Sequence, residues 1–138
     1  MKKRILVIDG QGGNIGRQLV KMILERFPGV ELLAVGTNSI ATENMLKAGA
    51  KSAATGENAV VVSSRRADII IGPIGIVIAD ALMGEVTEKM AAAVGSAEAL
   101  RILIPMNRCD TIIAGLAGSS PAAYLQDAME KLDEAMSG

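Results

Sequence analysis

The sequence predicts an α/β fold: a three-layer α/β/α sandwich around a mostly parallel, Rossmann-like sheet of about five or six strands. Three observations predict it. Short β-branched apolar runs alternate with stretches of helical period, the order that joins parallel strands by right-handed crossover helices. The runs are apolar at consecutive positions rather than at every second one, as in strands covered on both faces. The first run opens into a glycine-rich turn, Asp9-Gly-Gln-Gly-Gly-Asn-Ile-Gly16, where such folds bend from strand into helix.

Residues 4–9 (RILVID) form the first strand, ended by glycines. From Asn14 the period changes: Ile15, Leu19, Ile23 and Phe27 recur every four residues, one face of a helix that Pro28-Gly29 stops. Residues 30–36 (VELLAVG) read as the second strand. Residues 37–48 read as the second helix, with Asn38 or Ser39 as N-cap and Gly49 beyond its end. A very short third strand is expected at residues 51–54. Thr55-Gly-Glu-Asn58 then starts a helix running from Glu57 to Arg66.

Ile69-Ile-Ile71 is a further central strand, stopped by Gly72-Pro73. Proline is tolerated in the first turn of a helix, so residues 74–83 are expected to form a buried helix that breaks at Gly84 and resumes at Thr87. Residues 101–105 (RILIP) are the next strand and Thr111-Ile-Ile-Ala114 an edge strand. Ser120-Pro121 starts the last helix, which places Leu125, Ala128, Met129, Leu132 and Met136 on one face. Nothing in the chain repeats, and no Gly-, Ser- or Pro-rich linker interrupts it, so residues 1–138 are expected to form one Rossmann-like domain.

Composition narrows the function classes. Lys and Arg number 14 against 15 Asp and Glu, a net charge of -1, so the electropositive surface of a nucleic-acid binder is not expected. With no histidine and one cysteine, Cys109, the chain holds no Ser-His-Asp or Cys-His pair, no internal disulfide and no multi-cysteine zinc site; no metal is expected. A reducing, cytoplasmic setting follows. Residues 69–79, the longest uncharged apolar run, fall short of the roughly 20 residues of a membrane span. Met1-Lys-Lys-Arg4 resembles the start of a signal peptide, but residues 5–8 are too short for its apolar region. The eight methionines read as fillers of irregular core space. At 1% aromatic residues a small core buries less area per residue, which points to a homodimer joined through the apolar residues 74–83.

The candidate site lies at the carboxyl ends of the strands, where open parallel sheets bind ligands. Gly10, Gly12 and Gly13 would form a turn bare enough for a phosphate to approach backbone N–H groups, beside a helix N-terminus with partial positive charge. Gly16 would let helix and strand pack closely. With Gln11, Asn14 and Ile15 these make the phosphate-binding loop, spaced Gly-x-Gly-x-x-x-Gly, one residue longer than the usual dinucleotide fingerprint. Thr37 and Asn38 hold the place where a dinucleotide fold carries an acid for the ribose hydroxyls; Asn38 serves equally as a helix N-cap. Glu57, Asn58, Gly72, Gly75 and Asn107 come from the other strand ends. Gly72 to Gly75 would present a second helix N-terminus, or only start a helix. Cys109, beside Arg108, is the candidate nucleophile or redox group; a buried, inert thiol is the other reading. Asp9, Glu57, Asp80, Glu85 and Asp110 are the candidate acids and bases; Asp9 is read first as a structural loop residue, which beside a phosphate takes hydrogen bonds from the turn or holds a magnesium ion, and Asp80 and Glu85 as facing solvent or a partner subunit.

IDGQGGNIG, GTNSIAT, AGAKSAATGENA, ADIIIGPIGIVIADALMGE and LIPMNRC, in this order, resemble a short bacterial family catalogued as domain of unknown function 3842. The resemblance spans nearly the whole chain and implies the Rossmann-like fold. It assigns no activity. The residues lead to a small protein that binds a nucleotide or other phosphate-bearing ligand, NAD(P) among the candidates, in a sensing or regulatory role. Two other readings stand beside it: a small NAD(P)-dependent oxidoreductase or cysteine-using enzyme assembled as an oligomer, and a structural or assembly subunit without ligand.

Overall fold

The computed structural model describes residues 2–106, 111–116 and 120–138. Strands β1 (Arg4–Asp9), β2 (Glu31–Gly36), β3 (Ser52–Thr55), β4 (Ile69–Pro73) and β5 (Leu100–Ile104) form one sheet in the order β3-β2-β1-β4-β5. Every neighbouring pair runs parallel. Between and after the strands come α1 (Asn14–Arg26), α2 (Ser39–Lys47), α3 (Glu57–Arg66), α4 (Glu88–Gly95) and α5 (Pro121–Ser137). The order reverses at β1: the chain winds outward to β3, then returns to place β4 on the other side of β1. The carboxyl ends of β1 and β4 therefore border the crevice where such sheets take ligands.

Alternation along each strand divides the core into two faces. Ile5, Val7, Ala34, Ile69 and Ile71 point to α1, α2 and α5, meeting Leu19, Ile23, Met45 and Leu132. Leu6, Ile8, Val35 and Ile70 point to α3, α4 and the segment 74–86, meeting Val60, Ile76, Leu82, Met90 and Val94. Each large side chain among these contributes about 1.5–3 kcal/mol by leaving water, which makes the β1–β4 centre the most stable part of the sheet. Three helices begin as the sequence predicts. Asn38 Oδ1 accepts from Ala41 N–H, Ser120 Oγ from Ala123 N–H ahead of Pro121, and Thr87 Oγ1 from Met90 N–H. On α5, Leu125, Ala128, Met129 and Leu132 are buried, and Met136 packs beside them.

Two expectations are corrected. Residues 74–83 do not form a helix. A single 3₁₀ turn, Ile74–Val77, gives way to turns in which Asp80, Leu82, Met83 and Gly84 take φ of 66°, 55°, 58° and 85°. The segment buries Ile76, Ala81, Leu82 and Val86 against the sheet, and at 100° per residue those four positions spread over most of a helix's circumference. Only an irregular path turns all of them inward. The segment keeps some apolar surface all the same: Ile74, Val77 and Ile78 are partly buried and Met83 is 91% exposed. Second, Thr111-Ile-Ile-Ala114 is not a strand: Ala114 and Gly115 make a turn, with Gly115 at φ 87°, and Ile112 is 87% exposed. β-Branched residues alone do not make a strand where no sheet face receives them.

Candidate functional site

The glycine-rich loop leaves β1 at Asp9, opposite Gly36 of β2, and enters α1 at Asn14. Gln11 (φ 50°) and Gly13 (φ 72°) are left-handed, and Gly13 N–H donates to Gly10 O at 2.9 Å to close the turn. A Cβ on Gly13 would stand 2.7 Å from Ala41 Cα, and one on Gly10 would stand 2.4 Å from Thr37 Oγ1. Gly16 is needed for close packing, as expected: its Cβ would meet Met45 Sδ at 2.7 Å and Asp9 Cβ at 2.8 Å. Gly12 differs from the others, because a Cβ there would meet no atom within 4 Å.

Two carboxylates from this chain sit on the loop's amides. Asp9, buried at the end of β1, accepts from Gly10 N–H at 2.8 Å on Oδ1 and from Gly16 N–H at 2.6 Å on Oδ2. Its reading as a loop residue that takes hydrogen bonds from the turn is borne out. Burial pushes its carboxyl above the usual 3.8, against the N–H groups of Gly16, Gly10 and Ile15, and the charge of Glu85 adds to the rise. The second carboxylate comes from far along the chain. Glu85 Oε1 accepts from Gln11 N–H at 2.8 Å, Thr37 Oγ1 at 2.6 Å and Asn38 Nδ2 at 2.8 Å. Burial raises this carboxyl, but the bonds from Thr37, Gln11 and Asn38 outweigh it and hold the group below the usual 4.5.

Asn38 joins the two halves of the site. Its Oδ1 caps α2, while Nδ2 donates to Gln11 O at 2.9 Å as well as to Glu85. Asn44 Nδ2 donates to Gly12 O at 2.6 Å, a second tie between α2 and the loop. β2 itself ends without an acid for the hydroxyls of an adenosine ribose; the carboxylate at that place is Glu85, already holding Thr37 and Asn38, and the amide of Asn38 is engaged at both ends. The ribose contact of a dinucleotide fold has no counterpart here.

The structure thus brings together Gly10, Gln11, Gly12, Gly13, Gly16, Thr37 and Asn38. Asn14 begins α1 on the exposed side, its Oδ1 accepting from Arg17 Nη2 at 2.7 Å, and Ile15 packs against the core. Glu57 lies in the first turn of α3, where Oε2 accepts from Thr87 Oγ1 at 2.6 Å; Asn58 beside it is exposed. Gly72 and Gly75 serve packing. A Cβ on Gly72 would lie 2.2 Å from Ile8 O, and Gly75 is buried against Leu82 and Ala81. The second helix N-terminus expected at Gly72 to Gly75 is absent, because the four-residue 3₁₀ turn aligns too few peptide dipoles to attract an anion. Asn107 and Cys109 lie outside the described residues, as do Arg108 and Asp110.

Glu85 is the site residue that sequence reasoning misplaced. Its carboxylate reaches the loop, 74 residues away in sequence at Gln11. The one signal that could have found it is indirect: Thr37 and Asn38 offer donors where an acid is usual, which leaves room for an acid from elsewhere in the chain.

Among the described residues no helix is long and apolar enough to cross a membrane. Comparison with curated proteins finds no match. Among solved structures, the chain is similar to a dodecameric FMN-dependent UbiX-like decarboxylase from Escherichia coli O157:H7. The two are 20% identical, the match covers 95% of this chain and 76% of that one, and the TM-score is 0.47. The family model for domain of unknown function 3842 matches residues 4–137, and the chain belongs to that family.

Proposed function

We propose that the protein binds a small phosphate-bearing ligand, NAD(P) or another nucleotide, between the loop 10–16 and the Thr37-Asn38 strand end, in a sensing or regulatory role. One observation carries this reading. A single carboxylate oxygen, Glu85 Oε1, takes three donors from two separate strand ends, a main-chain N–H, a hydroxyl and an amide. Donors converging on one point at the carboxyl edge of a parallel sheet make an anion site, whatever anion fills it. The loop is shaped for close approach, since Glu85 Oε1 would lie 2.9 Å from a Cβ on Gly10. Thermal-shift measurements on the full chain with NAD(P), ATP, GTP, flavins and coenzyme A test the reading. A concentration-dependent rise in Tm with at least one of these, and none with adenosine or riboflavin, is expected; a flat response to all overturns it.

A second reading draws on the same bonds. The N–H groups of Gly10, Gln11, Gly13 and Gly16 all have acceptors within the chain, as they would in a structural or assembly subunit whose loop serves only the fold. The two readings part at Gly12, whose substitution disturbs a ligand without disturbing the packing.

A further inference from the structure

Of the two carboxylates on the loop, only one is placed so that it can leave. Asp9 is 4% exposed and spends one oxygen on each of two amides at opposite ends of the turn, so its departure would undo the β1–α1 junction. Glu85 is half-buried and uses one oxygen, and it stands next to Gly84, where a Cβ would meet nothing within 4 Å, and to the exposed Met83. Its side chain is itself partly open to solvent. The backbone on either side is held independently. Ile76 and Leu82 are buried in the core, and Thr87 is fixed both by capping α4 and by donating to Glu57. Releasing the carboxylate therefore requires a change of side-chain rotamer, without unfolding of segment 74–86.

The three groups that Glu85 occupies, Gln11 N–H, Thr37 Oγ1 and Asn38 Nδ2, are the donors that the reading above gives to the ligand, and the present inference rests on that reading. We propose that Glu85 is a tethered competitor: its carboxylate fills the anion site of the ligand-free protein and must be displaced before a phosphate group takes the same donors. This contact is autoinhibitory. It sets a threshold, because a ligand gains the site only against a charged group held at high effective concentration, and its apparent affinity falls by the fraction of molecules in which Glu85 has swung away. It also selects: a monoanion that offers one oxygen merely replaces what it displaces, whereas a multiply charged phosphate offers more oxygens to the same donors.

Inorganic pyrophosphate is the probe, titrated calorimetrically into the full-length wild-type chain, Glu85→Ala and Glu85→Gln. If Glu85 competes, Glu85→Ala binds pyrophosphate about tenfold tighter than wild type, as expected where the unblocked form is about a tenth of the population. Glu85→Gln, which keeps the volume and loses the charge, is also tighter than wild type. Amide exchange supplies a control: in Glu85→Ala the Gln11 N–H exchanges faster, while the Gly10 and Gly16 N–H groups, held by Asp9, keep their protection. Should Glu85→Ala loosen the fold, Glu85→Gln carries the comparison. Equal affinities in all three proteins, or weaker binding in the variants, overturn the competition and leave the anion site standing. No binding by any of the three overturns the competition and the anion site together.

Discussion

The loops that follow β1 and β4 stand at the same switch point of the sheet, and both owe their course to glycine, but they close by different means. After β1, the turn at Gly10 to Gly16 packs closely at Gly10, Gly13 and Gly16 but is also held by charge: Asp9 and Glu85 take its amides. After β4, Gly72 and Gly75 close on contact, with Ile8 O, Ile76, Leu82 and Ala81 lying where a Cβ would go. The Glu85 contact of the first loop can be exchanged for another anion at modest cost, because hydrogen bonds to water or ligand replace those that are lost. The second cannot, since close-packed atoms have no substitute. A glycine-rich strand end thus marks a close approach of backbone to something. Whether that is an anion or a neighbouring strand is decided by the residues facing it.

Gly72→Ala is the sharpest test of the contact-closed loop and carries the largest expected effect. The added Cβ would lie 2.2 Å from Ile8 O, a backbone atom of the paired central strand, which gives way only if β1 and β4 part. Overpacking of this kind reaches about 3 kcal/mol or more, and for a chain of this length Tm falls by about 10 °C. Urea or thermal denaturation measures it. A variant as stable as wild type would show that the two loops do not differ as described.

How far the sequence revealed these two loops follows the range of the forces involved. Local patterns placed strands β1 to β5 and helices α1, α2, α3 and α5, because apolar periodicity, the Asn38 and Ser120 caps and the Pro28-Gly29 stop each act over a few residues. Asp9 was also legible, since its partners Gly10 and Gly16 are near neighbours. The segment after β4 was not. Leu82 and Met83 take left-handed conformations that their side chains disfavour, so propensity pointed to a helix there, and tertiary burial of Ile76, Ala81, Leu82 and Val86 overrode it. Glu85 was illegible for a related reason: its partners lie 47, 48 and 74 residues away, and the irregular path that delivers it has no periodic signature.

The two carboxylates of the charge-closed loop separate by pH. Glu85 is held below the usual glutamate value, so the stability its bonds contribute is present above about pH 4.5 and is lost as pH falls through the folded-state value. Asp9 runs the other way. Burial raises its carboxyl above 3.8, and its contribution is lost as pH rises through the raised value. Comparing wild type with Glu85→Gln isolates the first. At pH 7 the variant is expected to be less stable by about 1 kcal/mol, at the low end for charge-assisted hydrogen bonds because the group is half-exposed. The difference shrinks as pH is lowered below 4.5, when wild-type Glu85 also loses its charge. A gap in Tm that stays constant from pH 7 down to pH 3 would mean that the charge of Glu85 does not hold the loop.

The smallest expected effect on stability belongs to Gly12→Ala, and for that reason it divides the ligand reading from the structural one. Gly12 is exposed, has no left-handed φ, and its Cβ would meet nothing within 4 Å. The methyl group strains nothing in the folded chain and removes freedom from the unfolded one, so stability is expected to stay level or rise by about 0.4–1 kcal/mol. The same methyl group stands in open space at the exposed surface of the loop, so a phosphate seated along the main chain of residues 10–16 would meet it. If the loop binds an anion, Gly12→Ala weakens pyrophosphate binding while Tm holds, because the substitution meets the ligand and no protein atom. If the loop serves only the fold, the variant is as stable as wild type and ligand titrations of the two proteins coincide. Measured together, Tm and affinity for this one substitution separate a glycine kept for an approaching ligand from a glycine kept for the turn.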